Sequence, residues 1–236
     1  MGSLIDQELA LTYLNQNPLE HMDMIVPIRR GTAEILYAAE DGVCLRETKS
    51  GAYMASAASE EAGTRLLELL PREGLFSFHQ AHMVDKFKMK ARYTTLIENF
   101  QAVYLLKEPL PIIGELEIKP LDMGQFELVL EQYDVDLGAD YLRGRIAEGT
   151  FFGGYADEAL VGFAGIHAEG SIGLLKVFDQ YRNRGYGTAL NSFMVNHQLA
   201  QGIVPFEQIG VENKASLAVA GKMGFSISTE RVYWLF

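Results

Sequence analysis

The stretch Val177-Phe178-Asp179-Gln180-Tyr181-Arg182-Asn183-Arg184-Gly185-Tyr186-Gly187-Thr188 joins an apolar run to an amphipathic one. Residues 172–178 before it have the length and apolar content of a buried strand. Residues 185–200 place Leu190, Phe193, Met194 and His197 along one helical face. A turn of the form Arg182-x-x-Gly185-x-Gly187 therefore links strand to helix. Glycines there let the backbone approach a ligand and aim its N–H groups outward. The helix start adds unpaired N–H donors and a partial positive charge. Together these make an anion site suited to a pyrophosphate, and Arg182 and Arg184 can add charge-assisted hydrogen bonds. Taken alone, such a turn also serves simply to pack a helix on a sheet. The spacing is neither that of a nucleotide-triphosphate loop nor that of a dinucleotide fingerprint, which counts against both ligands.

Outward from this turn, the second half of the chain reads as a strand at residues 115–120, helices at 124–133 and 139–147, and strands at 151–155 and 160–166 around the turn Asp157-Glu158. The strand 172–178 and the helix 185–200 follow. A strand at 206–211, a helix at 216–223 and a strand at 232–236 close the chain. Upstream, Lys107-Glu108-Pro109-Leu110-Pro111 opposes regular structure and reads as a linker. Before it, Asn17-Pro18 looks like a helix start. Strands at 33–39 and 43–47 flank Glu40-Asp41-Gly42, a hairpin signal, and a third lies near 52–55. Ser59 caps a helix carrying Ala62, Leu66, Leu69 and Leu70. A strand at 75–78, a helix at 82–90 and a strand at 101–106 complete this half. The halves share the order hairpin, strand, helix, strand, helix, strand, which suggests a duplication.

The motif Val177-x-x-x-Tyr181-Arg182-x-Arg184-Gly185-Tyr186-Gly187 resembles the acyl-CoA loop of the GCN5-related N-acetyltransferase (GNAT) superfamily. A second signature follows: Asn213-x-x-Ser216-x-x-Val219-x-x-Lys222-Met223-Gly224-Phe225 is similar to that superfamily's closing helix and its Lys-x-Gly-Phe end. The resemblance implies that the strand ending at Val177 and Phe178 splays from its neighbour and pairs with the pantetheine arm. It implies that Arg182, Asn183, Arg184, Gly185, Tyr186, Gly187 and Thr188 hold the pyrophosphate, and that Asn213 and Ser216 lie near the pantetheine and thiol end. An amine would then attack the thioester directly, with strand N–H groups holding the developing oxyanion. Acetyl-CoA, or another acyl-CoA, is the implied co-substrate.

Two departures stand out. Many members place a tyrosine seven residues after the motif asparagine to protonate the leaving thiolate; here that position is Ala220. Nor does the strand 172–176 carry the glutamate that some members use as base. A protonated amine needs a proton acceptor, and the candidates are His167, Glu169, Glu207 and Tyr233. In the first half, residues 55–63 occupy the corresponding strand-to-helix turn without an Arg-x-x-Gly-x-Gly, and Glu60 and Glu61 would repel phosphate. That half is expected to bind no CoA, as in the two-domain, glycine N-acyltransferase-like members that this arrangement resembles.

Composition bounds the remaining choices. The 236 residues are 48% apolar and 22% charged, ordinary for a globular chain and unlike a disordered or low-complexity one. No apolar run is long enough to span a bilayer, and the N-terminus lacks a signal peptide's basic start. Gly2 invites comparison with myristoylated chains, but Asp6 stands where Ser or Thr is wanted. A net charge of −11 repels phosphate backbones, so nucleic acid is not expected as a partner. The single cysteine, Cys44, excludes an intramolecular disulfide and fits a reducing cytoplasm. It reads as a small buried hydrophobe. His79-x-x-His82, without nearby cysteine, reads as surface or interdomain hydrogen bonding rather than metal binding, and no metal site is expected. Phe76, Phe78, Trp234 and Phe236 read as core or interdomain packing. Arg29-Arg30 and the lysines of 86–90 read as solvated faces.

The sequence thus predicts an α+β fold of two GNAT-like domains, each a mixed, mostly antiparallel sheet flanked by helices. The boundaries expected are 1–107 for a degenerate N-terminal domain, 108–114 for the linker and 115–236 for the acyl-CoA-binding domain. The function expected is transfer of an acetyl or other acyl group from its CoA thioester to a primary amine of a small molecule or peptide. The alternative is a non-catalytic CoA-binding sensor or interaction protein, which Ala220 favours. A third reading has both domains holding the acceptor, with His79, His82 or Tyr93 contributing. No membrane partner is expected, and a homodimer stays open.

Overall fold

The computed structural model describes residues 4–112, 114–133 and 137–236. Gly2 and one residue of the expected linker, Ile113, lie outside them. In chain order the elements are α1 (Leu4–Leu14), α2 (Met22–Arg30), β1 (Ala33–Ala39), β2 (Gly42–Glu47), β3 (Tyr53–Ala57), α3 (Glu60–Glu68), β4 (Phe76–Phe78), α4 (Ala81–Phe87) and β5 (Leu96–Val103). Then come β6 (Glu117–Pro120), α5 (Phe126–Gln132), α6 (Ala139–Ala147), β7 (Phe151–Ala156), β8 (Ala159–Ile166), β9 (Ile172–Val177), α7 (Tyr186–Ala200), β10 (Phe206–Gly210), α8 (Lys214–Lys222) and β11 (Ser226–Leu235).

The chain forms two compact units. One takes Met1–Val103 together with Gln208–Phe236; the other is Tyr104–Glu207. The division does not follow the seam at 108–114, because β11 lies between β4 and β5 and pairs antiparallel with both. Backbone hydrogen bonding thus ties the last strand to the first half of the chain. At the seam itself, the Asn196 amide of α7 clasps Leu110, accepting its N–H at 2.7 Å and donating to its carbonyl at 2.8 Å.

In the first unit β1, β2 and β3 run antiparallel, β4 joins β3 in parallel, and β11 and β5 follow antiparallel. Its core gathers Leu66, Phe76, Phe78, Met83, Phe87 and Leu235, with Phe76 and Phe87 edge to face at 4.6 Å. Such ring geometry adds about 0.5–1.5 kcal/mol beyond the buried area. Cys44 is fully buried and its thiol is pushed up to about 12 by that burial, so it is inert packing. In the second unit β6, β7, β8 and β9 run antiparallel and β10 joins β9 in parallel. Helices α5 and α6 cover the apolar cluster of Phe126, Val129, Ile146, Phe151, Phe163 and Leu174. Each unit is a mixed, mostly antiparallel sheet flanked by helices, and the mixed α+β class is the one expected from the sequence.

Several local expectations are corrected, among them the strand expected at 101–106, which runs Leu96–Val103. Helix α1 has no counterpart in the sequence reading: Leu4, Ile5 and Leu9 leave its outer side apolar and exposed, blurring the amphipathic pattern. Helix α2 begins at Met22 rather than at Pro18 and contains Pro27. Strand β11 begins six residues before the expected 232, because a register shift between Ile227 and Arg231 carries it past the polar Thr229 and Glu230. Phe76 and Phe78 are core, whereas Phe236 is 41% exposed.

Candidate functional site

The site expected at residues 177–188 lies in the second unit. Strand β9 has β8 along one edge. On its other edge the ladder with β10 has a single paired register, Ile172 opposite Glu207. The corresponding parallel joint in the first unit is closed over three registers, Tyr53 with Phe76, Met54 with Ser77 and Ala55 with Phe78. Near its opening β9 is also bent. The β8/β9 register shifts between Phe163 and Gly165, and the buried Leu174 sits at φ +52°. A non-glycine residue held in the left-handed region costs on the order of 1–3 kcal/mol and marks a strand being re-aimed. Residues 173–175 lie beyond the single paired register with β10, along an edge where an extended ligand can add.

After Val177 the chain makes one 3-10 turn, Asp179–Tyr181, and enters the loop. Asn183 at φ +62° and Gly185 at φ +82° turn it sharply into α7. Gly185 is the N-cap and offers no side chain to bond the helix's first N–H groups. Those donors remain for a ligand, at the positive end of a 15-residue helix. Arg182 pairs with Asp179 at 2.9 Å, both side chains largely exposed, and Arg184 lies 5.7 Å from the centre of the Tyr181 ring. An exposed ion pair of this kind is worth less than about 1 kcal/mol, so the Arg182 guanidinium can readily exchange partners. The equivalent turn in the first unit is self-satisfied. The Ser59 hydroxyl accepts the Ala62 N–H at 3.2 Å, Glu60 and Glu61 fill the first turn, and Lys86 pairs with Glu60.

Asn213 and Ser216 belong to the first unit, where the Asn213 side chain caps α8 by accepting the Ser216 N–H at 3.1 Å. Ala220 on that helix is buried, and its carbonyl accepts the Phe225 N–H at 3.0 Å. Tyr233 is in the first unit as well, opposite Phe78 and Glu98 on β11 and packed against the aromatic core.

The remaining three candidates lie in the second unit. Glu207 stands where the β9/β10 ladder ends, 9% exposed, and accepts a 2.6 Å hydrogen bond from the Asn191 amide of α7. Burial pushes its carboxyl up to about 7, against the opposing pull of that hydrogen bond. His167 lies just past β8, its Nδ1 2.9 Å from the Tyr141 hydroxyl. Burial holds the Tyr141 phenol protonated, so it donates to Nδ1 and leaves the His167 proton on Nε2. Burial, with Arg145 adding to it and Glu169 opposing, keeps the His167 imidazole below its ordinary value and neutral at pH 7. Its Nε2 packs on Gly173 of β9 so closely that a Cβ there would lie 2.7 Å away. Glu169 is buried and accepts a short hydrogen bond from Ser171, which ties it to its own turn. Tyr141 escaped notice in the sequence because its partner is 26 residues away and its helix shows no motif.

The pair His79 and His82 is not a surface feature. His79 is buried in the first unit, its Nε2 3.3 Å from the fully buried Asp23 carboxylate, and the two histidines border one cavity. Among the described residues no group of three His, Cys, Asp or Glu side chains is placed to hold a metal ion. No helix among them is long and apolar enough to cross a membrane.

Residues 153–235 match the model of the family described as FR47-like protein. A putative acetyltransferase of the GNAT family from Novosphingobium aromaticivorans has a similar structure: 15% identity, 99% of this chain and 98% of that one covered, TM-score 0.57. A GCN5-related N-acetyltransferase-like protein from Streptococcus suis aligns at 14% identity over 97% of this chain and all of that one, TM-score 0.56. A Drosophila protein aligns at 16% identity over 99% of this chain and 88% of that one, TM-score 0.64. No curated protein matches the sequence. At such identities the likeness is one of fold. The chain has FR47-like sequence at 153–235 and, along its length, a fold like that of these GNAT-family structures.

Proposed function

We propose that this chain, FR47-like over 153–235 and GNAT-like in fold, is an acyl-CoA-dependent N-acyltransferase of the two-domain, glycine N-acyltransferase-like kind. In this reading the segment 115–236 supplies the acyl-CoA-binding machinery, the first domain is degenerate, and the protein works in a cytoplasmic setting. The observation that carries the reading is the opened edge of β9 running into an uncapped helix N-terminus. An extended arm ending in a pyrophosphate fits that combination. Backbone groups of residues 173–175 would pair with the arm. The N–H groups at the start of α7, with Arg182 and Arg184, would take the phosphates. When bound, acetyl-CoA supplies a thioester open to attack by an amine.

The chain's own residues do the rest. N–H groups of β9 beside the Leu174 bulge hold negative charge as it develops on the carbonyl oxygen. Of the four proton-acceptor candidates, Glu207 fits best, because burial brings its carboxyl to about 7, close to the ambient pH at which a general base is most effective. It would take the proton lost by the primary amine as the new C–N bond replaces the thioester C–S bond, with CoA leaving as a thiolate that is protonated from solvent. The proposed acceptor is a small molecule or peptide amine.

Calorimetric titration of acetyl-CoA tests the loop. We expect one micromolar site, weakened at least 100-fold in Arg182→Ala/Gly185→Glu. No binding by the parent sinks the reading. The buried Ala220 favours a second one, a CoA-binding sensor without turnover. Single-turnover thiol release against a panel of amines separates the two: binding without release supports the sensor.

A further inference from the structure

The first unit, which keeps no phosphate loop, holds a cavity of about 390 Å³ bordered by Glu20, His21, His79, Gln80, His82 and Glu230. A pocket of that size accommodates a small organic ligand. Its walls are built rather than accidental. The fully buried Asp23 carboxylate receives the Gln101 amide at 3.1 Å on one oxygen and the Gln208 amide at 3.2 Å on the other. The Trp234 indole N–H fixes Gln208 at 2.6 Å. Asp23 in turn flanks His79, whose ring lies 4.9 Å from that of His21. The Nδ1 of His21 faces the Leu14 and Asn17 carbonyls, so it carries the proton, and its Nε2 accepts from the Ser56 hydroxyl at 2.8 Å. Burial and the neighbouring His79 push His21 down to about 4, so this imidazole brings no positive charge to the cavity at neutral pH.

Three wall residues keep a buried polar atom without a hydrogen-bond partner among the described residues, Glu20 at Oε2 and His79 and His82 at Nε2, and of these Glu20 is the carboxyl group. Its side chain is nearly withdrawn from solvent at 6% exposure. Its Oε1 accepts the Thr229 and Glu230 N–H groups at 3.3 and 3.5 Å, whereas Oε2 has no hydrogen-bond donor among the described residues. A buried carboxylate oxygen without a donor is destabilising, and a cationic donor relieves both its hydrogen-bonding and its charge deficit. No lysine or arginine borders the cavity, and a second carboxylate, Glu230, stands at its exposed rim. Metal coordination does not suit the walls, since no three ligating side chains converge among the described residues.

We propose that this cavity is a second ligand site, taking a small primary ammonium ligand whose N–H group donates to Glu20 Oε2. The site is built wholly from the first unit, is independent of the acyl-CoA loop, and involves no group transfer.

The test titrates the full chain, without any CoA, with n-propylammonium chloride, and with tetramethylammonium chloride as a cation lacking N–H donors. Binding is read by calorimetry and by the imidazole resonances of the five histidines. We expect saturable binding of n-propylammonium, at least tenfold weaker or absent for tetramethylammonium. Shifts should fall on His21, His79 and His82 and spare His167 and His197. Glu20→Gln keeps the acceptor for the two backbone N–H groups and removes the charge; it should weaken binding at least tenfold, while Arg182→Ala leaves it unchanged. Absence of saturable binding, equal binding of both cations, shifts confined to His167 and His197, or an unaltered Glu20→Gln overturns the proposal. Should Glu20→Gln fail to fold, the resonance pattern of the parent still decides. Because no acyl-CoA is present, failure here leaves the transferase reading untouched, and the reverse.

Discussion

A carboxyl raised to about 7 by burial titrates where an amine acceptor needs a base, and Glu207 is such a group. Glu207→Gln should cut kcat/KM by about 10²–10³-fold and abolish the acidic limb near pH 7, with acetyl-CoA affinity unchanged. A pH–rate profile checks this; an unmoved limb would show that another residue takes the proton. The same shift makes a stability prediction of definite sign. The fold favours the protonated carboxyl, so its contribution is complete below the ordinary value of about 4.5 and lost as pH rises towards 7. Relative to Glu207→Gln, the parent should lose on the order of 3 kcal/mol between those limits, read from denaturant midpoints at a series of pH values. His167 titrates in the opposite sense. Its folded value is lowered, so whatever stability its neutral form brings is present at neutral pH and fades as pH falls below the ordinary value.

At the scale of elements, two parallel joints of like kind differ in closure. Strands β3 and β4 are paired over three registers and lead to a helix capped by its own serine. Strands β9 and β10 are paired at one register and lead to a helix capped by a bare glycine. An extended ligand can add to the second joint and not to the first. Amides of residues 173–175 and of the α7 start should therefore gain hydrogen-exchange protection with acetyl-CoA, while those of Tyr53–Ala57 should not change. Equal protection of both segments would contradict the assignment of the CoA site to the second unit. Ser59→Ala should cost about 1 kcal/mol by thermal or denaturant unfolding, because it removes the cap of α3.

On the scale of the whole molecule, the sequence seam and the compact units divide the chain differently. A fragment beginning at residue 115 would lack both partners of β11, since β4 and β5 precede the seam. We expect residues 115–236, expressed alone, to show no cooperative thermal transition. Conversely, removing 226–236 should expose the aromatic core around Phe76 and Phe78, detected by dye binding. A cooperative melt of the isolated fragment would show that β11 contributes little to the strands it pairs with. The overall charge of −11 belongs to this scale too. It sets a field that disfavours nucleic acid and suits the ammonium ligand proposed for the first unit.

The loop at 182–188 was legible because its chemistry is local: glycines, arginines and a strand-to-helix turn lie within a dozen residues, and backbone conformation there follows from residue type. The strands of the second half were legible for the same reason, as alternation and turn residues such as Asp157-Glu158 act over short distances. Helix α1 was not, because its exposed leucines mask its periodicity. The value of Glu207, the Tyr141–His167 hydrogen bond and the cavity around Glu20 could not be read from the chain. Each depends on burial or on partners dozens of residues away, as when Gln208 meets Asp23 across 185 positions. Sequence by itself determined the class of fold and the glycine-bearing strand-to-helix turn at 182–188, both matters of local spacing and residue type. Tertiary structure alone decided the pairing of β11 and the proton affinity of buried groups. Strand pairing and desolvation are properties of neighbours in space, which the order of residues does not specify.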